Sequence, residues 1–126
     1  MKLVSVLALI GGVFLINVNS ESAEFGQRER DDELLHLEIL TRKFKIINGQ
    51  IYEDYEFPPQ GGIDLGPLTI SYIKATDRWD NGATANLTNG GPGMGWVSMH
   101  FEAKWFKGFS YLIEIYGHKH TPLLYY

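Results

Sequence analysis

Residues 96–116 read WVSMHFEAKWFKGFSYLIEIY. Val97, Met99, Phe101 and Ala103 fall on one side of an extended chain, and Trp96, Ser98, His100 and Glu102 on the other. Lys107-Gly108 then suits a reversal. Phe109, Tyr111, Ile113 and Ile115 make a second apolar set at the same period. Period two with one apolar side is the pattern of antiparallel strands that bury one face.

Upstream, Leu68 to Thr76 reads as a strand, with Ile70, Tyr72 and Lys74 on one face and Ser71, Ile73 and Ala75 on the other. Asp77 to Gly82 reads as a turn, and Asn89-Gly90-Gly91-Pro92-Gly93 as a second, more flexible one. Further upstream, Lys43 to Ile47 leads into Asn48-Gly49, and Gln50 to Phe57 leads out. Asn-Gly suits a type I′ turn, because both central residues need positive φ, so a hairpin is expected here. Leu34 to Leu40 fits either a helix or a strand by periodicity; the hairpin that follows favours the strand. Pro58-Pro59-Gln60-Gly61-Gly62 ends the pattern. Strands at short intervals with turns between them predict an all-β fold, a small antiparallel β-sandwich or barrel-like sheet.

The start of the chain has a different character. Lys2 precedes an uncharged run from Leu3 to Ile16, followed by Asn17, Asn19, Ser20 and Glu21. The run is too short for a span of about 20 apolar residues and suits the core of a secretory signal. Val18 and Ser20 fit the small positions before a cut after Ser20; Ser22 and Ala23 are alternative cut sites. The expected organisation is therefore a signal peptide at 1–20 and a charged, loose segment at 21–33. A single β domain follows at 34–117, then a C-terminal tail at 118–126. Secretion, with no stable membrane span after cleavage, follows from this reading.

The chain has 126 residues, no cysteine and a formal net charge of −4. The absence of cysteine excludes a disulfide framework and a thiolate zinc site. The charge gives no support to nucleic-acid binding by phosphate neutralisation. The apolar share of 44% argues against a chain disordered throughout.

Residues 70–117 carry a resemblance. Asp77, Asn81-Gly82, Gly90-Gly91-Pro92-Gly93, the alternating strand Val97 to Phe101, Gly108 and Glu114-Ile115-Tyr116 follow one another in a family's order and spacing. The pattern resembles the multiprotein bridging factor 2 family of insects, whose members also appear as salivary or venom secreted peptides. Gly26 to Leu34 loosely resembles the start of that family. Trp105-Phe106 stands where relatives usually have more polar residues. The family name implies transcriptional coactivation through protein contacts, whereas the signal-like start implies export. The resemblance carries over no catalytic residue.

Several residues invite a chemical reading. Asn86-Leu87-Thr88 is an N-glycosylation sequon in a polar stretch. Ser98, His100 and Glu102 share a strand face, but residues two apart stand about 6.6 Å apart, too far for serine activation by histidine. Asp77 and Asp80 lack the acids of a calcium loop and read as turn formers. His118-Lys119-His120 makes no closed metal site and reads as a solvated tail. No cofactor, metal or catalytic residue is expected. Trp79 in a turn and Trp96 on the polar side of its strand, with Trp105, are candidates for a binding surface. The tail Leu123-Leu124-Tyr125-Tyr126 reads as an edge strand or an end that another subunit covers. The leading expectation is a secreted, non-enzymatic β-protein that binds a protein or small ligand outside the cell, as in saliva, venom or haemolymph. The alternatives are an intracellular coactivator and a carbohydrate-binding or hydrolase domain.

Overall fold

The computed structural model describes residues 22–47, 49–60 and 66–120. The expected signal at 1–20, Asn48 of the expected turn, and Leu123 to Tyr126 lie outside the described residues. The described residues form seven strands: β1 (Ala23–Gly26), β2 (Glu33–Arg42), β3 (Tyr52–Phe57), β4 (Leu68–Asp77), β5 (Thr84–Gly90), β6 (Val97–Glu102) and β7 (Phe109–Lys119). They build two antiparallel sheets, one in the order β1-β4-β7-β2 and one in the order β3-β6-β5. Among the described residues, no helix is long and apolar enough to cross a membrane.

The alternating set at 97–115 is the centre of both sheets. Val97, Met99, Phe101 and Ala103 are buried from one sheet, and Phe109, Tyr111, Ile113 and Ile115 from the other. The reversal near Gly108 therefore carries the chain from sheet to sheet. Aromatic rings join the two layers. Phe101 lies 4.9 Å from Tyr111 and 5.9 Å from Phe109 between ring centroids, and Tyr55 meets Phe101 edge-on at 6.2 Å. Such pairs add about 0.5–1.5 kcal/mol each beyond the area they bury.

The structure corrects several expectations. Asn48-Gly49 does not close a hairpin. β2 pairs with β7, as Leu40↔Tyr111, while β3 pairs with β6, as Tyr55↔Met99. The connection crosses between sheets, so that Leu40 and Tyr55 are buried from opposite layers. Ile70 does not share a face with Tyr72. A bulge between Ile70 and Tyr72 shifts the register, and Ile70 is fully buried with Ile73 and Ala75. Ala23–Gly26, in the segment expected to be loose, is an edge strand on β4, with Phe25 packed against the core. His118 and Lys119 belong to β7 rather than to a tail, with His118 opposite Thr69. The polar stretch Thr84–Gly90 is a strand as well, paired with β6.

Candidate functional site

The connections 43–51, 78–83 and 103–108 meet at one end of the sandwich. Phe106 N–H donates to the Gly49 carbonyl at 2.6 Å, and the Asn81 side-chain amide reaches the Gly108 carbonyl at 3.5 Å. The Asp77 carboxylate accepts the backbone N–H groups of Trp79 and Asp80, at 3.0 and 3.1 Å, and so fixes the 78–83 turn. Gly108 lies against the Arg42 backbone so closely that an added Cβ would overlap the Arg42 carbonyl. Asp77, Asn81 and Gly108 thus hold the loops in place, and Gly82 takes a positive φ of 80° in the 78–83 turn.

What the loops display is apolar and cationic. Trp105 is 62% exposed and Phe106 65%, although each large ring would gain from burial. Ile46 and Ile47, in the same 43–51 connection as Phe44 and Gly49, are 88% and 91% exposed. Phe106 holds a left-handed φ of 62°, a cost for an aromatic residue, and its ring stands edge-on to Phe44 at 5.9 Å. Trp105 lies over Gly49, where a Cβ would come within 2.6 Å of the indole. Lys43, Lys45, Lys104 and Lys107 are exposed around these side chains.

A groove runs between the loops. A cavity of about 460 Å³ is lined by Gln50, Thr84, Glu102, Lys104, Trp105 and Lys107. A second, of about 260 Å³, continues past Lys104 and Lys107 to Asn81 and Asp80. At the groove wall, Glu102 accepts from the Gln50 amide at 3.1 Å and lies 3.2 Å from His100 Nε2. His100 Nδ1 lies 2.8 Å from Asp54. The Asp54 hydrogen bond raises the His100 pKa above its usual 6.5, partial burial opposes this, and Glu102 adds to the rise. Both ring nitrogens of His100 are thus engaged by carboxylates, which is not the arrangement of a base activating Ser98.

The three tryptophans do not form one surface. Trp79 and Trp105 belong to the loop end just described. Trp96 precedes β6 at the opposite end, where its ring packs on Gly90. Gly90, Gly91 and Gly93 all hold positive φ there. Glu114 and Tyr116 lie on the outer face of the four-stranded sheet, joined by a 2.6 Å hydrogen bond from the Tyr116 hydroxyl, with the Arg28 guanidinium 3.8 Å above the Tyr116 ring. Asn86 is exposed on β5. Sequence reading missed Lys104, Lys107, Ile46 and Ile47. Their signal was an apolar pair and lysines in loops, which gain meaning only when the loops meet.

No curated protein and no solved structure is a match to this chain. A family model described as "Transcription activator MBF2" matches residues 25–117. That description points to action on transcription with protein partners. It overturns the expectation of a protein or small ligand bound outside the cell, for which the fold shows no support. With well over half of its length under this one model, the chain belongs to the MBF2 family.

Proposed function

We propose that this protein is a non-enzymatic transcription coactivator that works by protein–protein contact through its loop end. The family match over residues 25–117 carries the reading. The exposed Trp105, Phe106, Ile46 and Ile47, ringed by lysines, support it as a contact surface, since large exposed apolar clusters mark interaction sites. Tethering the chain to a promoter through a fused DNA-binding domain tests it. Reporter output should rise with the chain over the DNA-binding domain alone. Unchanged output from a folded, nuclear fusion would refute the reading.

A second reading rests on Leu3 to Ile16. We propose that residues 1–20 direct export, and that the exposed Asn86 then accepts a glycan. Expression of the untagged chain in insect cells, with the product weighed before and after glycan removal, separates the readings. A secreted product starting at Glu21, lighter after glycan removal, supports export and deprives the coactivator of access to its target. A nuclear product with Met1 intact refutes export.

A further inference from the structure

A second site lies far from the groove and is independent of the transcription reading. The β1–β2 connection crosses the end of β7, where Glu29 and Asp32 face His118. Glu29, Asp32 and His118 each offer one ligand atom, and these three atoms lie within 4.8 Å of one another. His118 Nε2 stands 3.2 Å from Glu29 Oε1 and 3.1 Å from Asp32 Oδ1. One Nε2–H serves one well-aligned acceptor, and the Glu29 carboxylate takes that hydrogen bond. Asp32 Oδ1 has no hydrogen-bond partner, although the Asp32 side chain is 0% exposed. A buried carboxylate oxygen left in this state is costly. The turn itself aims it. Asp32 Oδ2 accepts the Glu29 backbone N–H at 2.6 Å and lies 3.8 Å from Arg28 Nε, which leaves Oδ1 turned towards His118.

We propose that Glu29, Asp32 and His118 form a three-ligand site for a divalent transition-metal cation of the zinc class. Spacings of 3.1 and 3.2 Å between nitrogen and oxygen suit ligands that share one cation at about 2.0–2.2 Å from each. An imidazole with two carboxylates favours zinc-class ions over calcium or magnesium, which take oxygen ligands. The cation supplies Asp32 Oδ1, which has His118 Nε2 at 3.1 Å but no hydrogen bond, with a direct ligand contact. It also ties the β1–β2 connection to β7, and the exposed Glu29 leaves the remaining coordination position to water.

The test is calorimetric titration of the untagged full-length chain with Zn²⁺ alone, in a buffer that does not chelate. One ion per chain is expected, with the thermal midpoint rising about 5–10 °C for each tenfold of free Zn²⁺ above Kd. Glu29→Gln, at an exposed position, keeps the fold and should weaken binding by at least the roughly 10–100-fold that loss of an outer-shell partner costs. His118→Asn should abolish binding, and His120→Asn should leave it unchanged. No saturable binding to the folded chain up to millimolar Zn²⁺ would overturn the proposal. So would a Kd that neither Glu29→Gln nor His118→Asn alters.

Discussion

Gly90 holds φ 66°, and a Cβ there would overlap the Trp96 carbonyl. Gly90→Ala is therefore expected to cost about 1–3 kcal/mol, read as a lower urea midpoint with an unchanged denaturant slope. His100 gives a pH signature. Its folded pKa lies above its unfolded value near 6.5, so the stability it contributes is fully present below pH 6.5. That contribution is lost as pH rises through the folded pKa. The stability difference between wild type and His100→Gln should therefore be largest below pH 6.5 and shrink towards higher pH; a difference independent of pH would contradict the assignment. Tyr55 is different. Burial, with Glu38 beside it, pushes its hydroxyl well above the usual tyrosine range, and that hydroxyl donates to Glu38 at 3.1 Å. At this scale the sequence showed which glycines mattered, because Gly-rich runs mark positive φ. It could not show Glu29, Asp32 and His118 meeting, because His118 lies 86 positions from Asp32 and 89 from Glu29, and no local spacing links it to them.

Among the elements, β6 and β7 were legible because each buries one face and is long enough for period two to stand out. Phe101, fully buried in β6 between Tyr55 and Tyr111, is the core residue most exposed to test. Phe101→Ala should cost about 3–5 kcal/mol in chemical denaturation. β5 was not legible: Thr84, Asn86, Thr88 and Asn89 are polar and exposed, so only Ala85 and Leu87 signal its inner face. The register shift between Leu87 and Asn89 blurs the period further. The Asn-Gly dipeptide misled for a related reason. Its local turn preference is worth less than sending β2 and β3 to opposite sheets, where His36 meets Phe57 at 5.0 Å and Arg42 pairs with Glu53 at 2.9 Å. The bulge in β4 likewise reflects packing, since it places both Ile70 and Ile73 in the core.

For the whole molecule, two packed sheets leave one end with an apolar, lysine-ringed groove and the other with glycine turns and Trp96. The all-β class was readable from alternation alone; the pairing order was not, because periodicity gives faces and not neighbours. The groove was hidden for the same reason, being built from three connections that pairing order brings together. Under the proposed coactivator function, this loop end carries the contact with the transcription machinery. Promoter-tethered reporter output from the Trp105→Ala/Lys104→Glu/Lys107→Glu variant, beside Trp96→Ala at the opposite end, tests it most directly. Both variants should remain folded by circular dichroism. Output is expected to fall to that of the DNA-binding domain alone for the loop-end variant and to stay at wild-type level for Trp96→Ala. Wild-type output from a folded loop-end variant would contradict it.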